Sequence, residues 1–355
     1  MTERFAARLR ARALTTCLAV AAWCIPQGCV TPSGAGRVGA EAAATHSLVW
    51  PPPPAAARIR YAGQISGEKD FGTRRSFVSR AATFIVGLRE EDNAFVRPMA
   101  AVADGKGNLC VADPGAAAVF VYDRGRATLR CYRRFGDTHL LSPVAVAVSD
   151  SPNMLLVADS ALGQVFAFTV SGRLLFKLSE NLERPSGLAV STDRIFVSDS
   201  TKNQIAVFDL NGREIDRFGT RGNKAGQFNC PTYLATDGSG FLYVTDTMNF
   251  RVQVFDRDNR FVRFIGRQGD TSGRFSRPKG VAMDAFGHIY VTDGLFDNVQ
   301  MFDATGRFLL NWGEAGSEPG EFWLPAGISV SGSNTIYVAD SFNHRVQVFE
   351  YVGGE

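Results

Sequence analysis

Histidine and cysteine are scarce in this sequence, with four and six in 355 residues, and beyond residue 28 no apolar run approaches the roughly 20 residues of a membrane-spanning helix. The histidines, at 46, 139, 288 and 344, are too scattered to suggest a zinc constellation. The body also lacks a charge excess. Residues 1–28 carry four Arg and one Glu, so 34 of the 38 basic residues face 34 of the 35 acidic ones downstream. Such a body has no electrostatic footprint for a phosphate backbone, and no nucleic-acid partner is expected. What is abundant is apolar: 45% of the chain is hydrophobic, with 27 Phe, which excludes a disordered protein. A folded body with something added at its front is the implied organisation.

Arg4, Arg8, Arg10 and Arg12 precede an uncharged stretch from Ala13 to Ile25. A positive flank and a short apolar core read as a secretory signal over 1–28. The following Gly28-Cys29 is similar to the bacterial lipobox, in which the cysteine receives lipid and becomes the new N-terminus. The alternative is ordinary cleavage to a soluble exported protein. Residues 29–57 are rich in Gly, Ala and Pro, end near Pro51-Pro52-Pro53-Pro54, and read as a tether that packs on nothing. Val30 stands where an Asp would resemble an inner-membrane retention signal, which favours the periplasmic face of the outer membrane.

Six segments share one pattern, Val-x-Asp, ending at Asp113, Asp159, Asp199, Asp246, Asp293 and Asp340. About fifteen residues ahead of each stands a proline: Pro98, Pro143, Pro185, Pro231, Pro278 and Pro325. Each proline opens an alternating apolar run, each Asp is followed by a loop and a third run, and a Gly or Asn turn leads to a fourth. Period-two alternation between such turns is strand chemistry, so each repeat is a four-stranded antiparallel meander. One such sheet buries little alone, but six around an axis cover each other's faces, which predicts an all-β six-bladed propeller over 95–355. Blade six ends at Glu350-Tyr351-Val352 without residues for a fourth strand, and Arg58 to Ile65 alternates with no partner nearby. The segment 58–94 is therefore read as a closing strand for blade six followed by one short helix, Ser76 to Leu88, on which Phe77, Ala81, Phe84 and Leu88 recur at helical spacing.

The repeats resemble the NHL family. Blade six carries the fullest form, from Ile336 through Asp340, Asn343-His344 and Arg345 to Phe349, with blades four and five close to it, while the Arg position becomes Ala118, Gln164 and Gln204 in blades one to three. The resemblance implies the propeller fold. It leaves function open among RNA-binding or protein-binding modules, extracellular sensor domains and lyases, so function has to be read from sites.

The innermost strands, those following each proline, contain no Asp, Glu or His between Met99–Ala103, Val144–Val148, Ser186–Val190, Thr232–Thr236, Lys279–Met283 or Ala326–Val330. No catalytic residue, metal or cofactor is therefore expected. A lyase or lactonase with a metal at the axis is the alternative. Asp104, Asp237 and Asp284 precede Gly-containing turns and read as turn residues, and six equivalent Val-x-Asp carboxylates read as architecture. His344 reads as structural, and Cys110 and Cys131, with a strand between them, are not expected to pair.

Differences between blades are more informative. The loop leading into a first strand and the loop leaving the second share one face of the disc. Arg97, Arg184 and Arg277 each precede a proline there, and Lys279 follows one. Two residues after the repeated Asp, blades four to six carry Met248, Leu295 and Phe342 where blades one to three carry Gly115, Ala161 and Thr201. An apolar arc beside basic residues suits a docking surface. The expectation is a monomeric, lipid-anchored, non-catalytic module that binds a protein, peptide or glycan of the cell envelope through this face.

Overall fold

Period-two alternation and the turn residues produce antiparallel meanders in all six repeats. The computed structural model describes residues 48–71 and 93–353. The signal segment, Cys29, the expected helix at 76–88 and the tether up to residue 47 lie outside them. Blade five is representative, with strands Pro278–Met283, Ile289–Asp293, Asn298–Phe302 and Phe308–Trp312 paired in sequence order. Its second strand is buried throughout and its third nearly so, because neighbouring blades cover both faces; the fourth is the most exposed. The chain is thus an all-β propeller of six blades.

The blades are joined by short side-chain stitches. Asn203 Oδ1 accepts from the Cys230 N–H of the next blade at 2.8 Å, and Asp297 Oδ1 from Leu324 N–H at 2.7 Å. The His344 imidazole meets the Val96 carbonyl, tying blade six to blade one, so its reading as structural fits the geometry. Near the axis, Gly280 and Gly327 let adjacent first strands touch, since a Cβ at either would lie 2.6 Å from the neighbouring Ala326 or Met99 carbonyl oxygen.

The closing strand, Ile59–Ile65, pairs antiparallel with Arg345–Tyr351 and completes blade six. Arg60 and Glu350 form an ion pair across the seam, and Arg345 Nη1 donates to Gln64 Oε1 at 2.8 Å. One part of the tether departs from expectation. Val49–Trp50 adds a fifth strand against Arg60 and Ile59, and the Trp50 ring lies edge-on to Phe349 at 5.9 Å. A Pro-rich composition hid one aromatic whose apolar area outweighs its neighbours' lack of it. Downstream, Phe71 stacks on Tyr122 of blade one at 4.3 Å, so the N-terminal segment grips both sides of the ring's seam.

Candidate functional site

The six Val-x-Asp carboxylates are fully buried and hold the lead-in and second-to-third-strand loops together. In blade five, Asp293 accepts from the backbone N–H groups of Ser276 (2.7 Å), Arg277 (2.9 Å), Leu295 (3.0 Å) and Phe296 (3.2 Å). Asp113, Asp159 and Asp199 do the same in blades one to three. In blades four and six the carboxylate also takes a charged partner. Asp340 accepts from Trp323 N–H (2.8 Å), Asn343 Nδ2 (2.9 Å), Arg345 Nε (2.7 Å) and Gln347 Nε2 (2.9 Å). Asp246 accepts likewise from Asn229, Asn249, Arg251 and Gln253. Blade five keeps the glutamine, Gln300, but its sequence has Asn298 in the Arg position, so the reading of this blade as close to the full form holds for the glutamine and not for the Arg. These locks fix the backbone from which every candidate binding residue projects.

At the axis, the residue two beyond each proline is Ala100, Ala145, Gly187, Tyr233, Gly280 or Gly327. Five are small because six strands converge there. The sixth, Tyr233, fills the hub: buried, it crosses from blade four to blade one and donates its hydroxyl to the Met99 carbonyl at 2.8 Å. Burial pushes the phenol pKa up. One bulky residue among five small ones at an equivalent position was visible in the sequence, and it is the signal that would have found the plug. Tyr233→Phe is expected to cost about 0.5–1.5 kcal/mol in denaturant unfolding, a modest loss because Met99 O still accepts from Gly327 N–H at 2.8 Å.

Tyr233 lines both cavities of the axial channel. Below it lies a cavity of about 240 Å³ bounded by first-strand residues such as Val102, Leu188 and Ile328. Above it, on the lead-in face, is a mouth of about 310 Å³ whose lining includes Met99, Arg184, Thr201, Cys230 and Lys279. Lys279 is half-buried, and desolvation, then the Arg277 charge, holds its ammonium below the usual lysine range. The structure thus gathers Lys279 and Arg184 at one cavity with Arg277 nearby. Arg97 does not line it and instead sits over Gly115.

Met248, Leu295 and Phe342 are exposed by 52%, 59% and 40%. The Phe342 ring meets Trp323 of its own lead-in loop at 5.7 Å. Trp323, itself 55% exposed, is part of the arc that sequence reasoning missed. Its place two residues before a proline, shared with exposed Val96 and Leu141, was a usable signal.

Asp104, Asp237 and Asp284 close their turns as expected; Asp284 also meets His288 Nδ1 at 2.7 Å and accepts from the Tyr290 hydroxyl at 2.8 Å. Cys110 is a buried free thiol, with the third strand between it and Cys131. Among the described residues no group of three or more His, Cys, Asp or Glu is arranged to hold a metal. A larger depression of about 580 Å³ on the opposite face carries Asp150, Asp193 and Asp237, all three engaged with nearby loop groups.

Residues 228–255 and 322–349 match the NHL repeat model, and these are the two blades with the Asp–Arg lock. Among solved structures, the chain is similar to a Bacteroides thetaiotaomicron protein of unknown function, with TM-score 0.59, 16% identity, and coverage of 72% of this chain and 70% of that one. It is also similar to virginiamycin B lyase from Staphylococcus aureus, with TM-score 0.55, 13% identity and coverage of 72% and 96%. A third likeness is to Kuenenia stuttgartiensis hydrazine synthase, with TM-score 0.53, 13% identity and coverage of 75% and 98%. Identities this low speak for a shared fold, not a shared activity. With six Asp-locked meanders around one axis and the NHL repeat matched in two of them, this chain is a six-bladed β-propeller that carries NHL repeats in blades four and six.

Proposed function

We propose that the protein is an exported, lipid-anchored, non-catalytic binding module that captures a protein or peptide of the cell envelope on its lead-in face. The observation that carries this reading is the concentration of exposed Met248, Leu295, Trp323 and Phe342 on loops rigidly held by buried carboxylates, beside a basic axial mouth. Rigid loops lower the ordering cost of binding, and large apolar side chains supply its gain. Export and anchoring rest on the N-terminal arginines, the apolar stretch after them and Cys29.

The test is crosslinking and capture from native envelopes with the wild type and with Met248→Asp, Leu295→Asp and Phe342→Asp. Each apolar side chain buried in a partner contributes roughly 1.5–3 kcal/mol, so each variant should weaken capture about tenfold or more while the melting temperature barely moves. A large melting shift would make the arc a packing feature. In the same cells, a fatty-acid analogue should label the wild type and not Cys29→Ser; equal labelling of both would remove the anchor.

A further inference from the structure

The mouth above Tyr233 carries positive charge that no described residue pairs with. The Lys279 ammonium and the Arg184 and Arg277 guanidinium groups have no hydrogen-bond or ion-pair partner among the described residues, whereas Arg251 and Arg345 are each locked to a buried Asp. The repeated carboxylates of this face are spent inside the loops. Glu183, next to Arg184, reaches toward Lys202 at 4.0 Å. This local excess is not inherited from composition, because the body is neutral. Holding a lysine half-buried without a counter-ion costs stability, and the arrangement makes chemical sense if an anion completes it.

We infer that the axial mouth is a carboxylate-binding site, in which a partner seats an acidic side chain or its C-terminal carboxylate while its adjoining apolar residues meet the arc. This rests on the lead-in-face reading above and names the group that face recognises. Arginine forks match a carboxylate's two oxygens, and Lys279 adds a point charge from the wall. The neutral donors favour a carboxylate over a phosphate. Ser160, Ser186 and Ser200 already donate to the Ser142, Pro231 and Arg184 carbonyls and Thr232 pairs with Thr247, leaving the Thr201 hydroxyl as the neutral lining hydroxyl without a partner among the described residues. A phosphate's three oxygens and double charge would ask for more. The cavity's Met99 and Val144 walls and Tyr233 floor suit a short carboxylate-bearing end with apolar neighbours.

Cys230 lines the same cavity and supplies a native reporter. Its alkylation by anionic iodoacetate and by neutral iodoacetamide is followed on the full chain by peptide mass spectrometry, at low and high salt. The iodoacetate-to-iodoacetamide rate ratio at Cys230 should be about fivefold or more higher in wild type than in Lys279→Met, and should collapse with salt. Arg184→Met, at an exposed position, should lower the ratio even if Lys279→Met melts early. An equal ratio in wild type and both variants overturns the site. Acetylated tetrapeptides then separate the two carboxylate sources. Protection of Cys230 by a peptide ending in Leu-Phe as the free acid but not the amide supports the terminal carboxylate; protection by an amidated Asp-Leu-Phe peptide but not its Asn counterpart supports the side chain. Protection by inorganic phosphate and by neither peptide overturns the carboxylate assignment. Phe342→Asp leaves the cavity lining untouched, so a preserved ratio beside unaltered partner capture would sink the docking arc and leave the mouth standing.

Discussion

A chain beginning at residue 66 should melt far below one beginning at residue 48 and should scatter light on warming. It lacks Ile59–Ile65, so Arg345–Tyr351 becomes an open edge with Phe349 and Val346 losing their cover. Ile59 is fully buried, and Trp50, Tyr61 and Ile65 partly so. At about 1.5–3 kcal/mol for each fully buried side chain, their loss amounts to about 4 kcal/mol or more, a large share of the roughly 5–15 kcal/mol that holds a domain together. An unpaired edge of this kind also templates association between chains, hence the scattering. A chain beginning at residue 58 keeps the closing strand and loses only Leu48 to Trp50 and the turn after them, so its expected loss is smaller, about 1–2 kcal/mol. Equal melting of the chains starting at 58 and 66 would mean that the closing strand does not hold the ring.

Asp340→Ala should be as damaging from a single atom group. It leaves the nearly buried Arg345 guanidinium without its carboxylate and removes the acceptor of the Trp323 N–H and of the Asn343 and Gln347 amides. Removing one partner of a buried ion pair costs about 3–5 kcal/mol, because the remaining charge stays out of water. The comparison is Asp293→Ala in blade five, where the donors are neutral backbone N–H groups and the expected cost is about 1–3 kcal/mol. Denaturant unfolding of both variants checks the difference. Equal, small losses would show that the Asp–Arg lock of blades four and six is no stronger than the amide clamp elsewhere.

These two regions also mark what was legible. The closing strand could be assigned from a missing fourth strand at one end of the chain and an orphaned alternating run at the other. The repeated Asp could be assigned to architecture because six copies at one position have one job. Trp50 escaped because it stands beside prolines in a stretch whose composition says loop, and a single ring's packing leaves no periodic trace; Trp323 left a trace only in its place two residues before a proline, which it shares with Val96 and Leu141.

Repeat spacing, period-two alternation and turn residues were enough, from the sequence by itself, to determine six four-stranded blades, the face on which Arg184, Lys279, Met248, Leu295 and Phe342 stand, and the absence of acids and histidines from the inner strands. Those are properties of register, which short-range pattern encodes. Which residues meet was decided only by the tertiary structure. Tyr233 reaches Met99 O across 134 residues of sequence, Arg184 and Lys279 share one cavity while Arg97 does not, and Phe342 meets Trp323. Those distances are set by the angle at which each sheet rotates about the axis and by the closure of the ring, to which all six blades contribute at once.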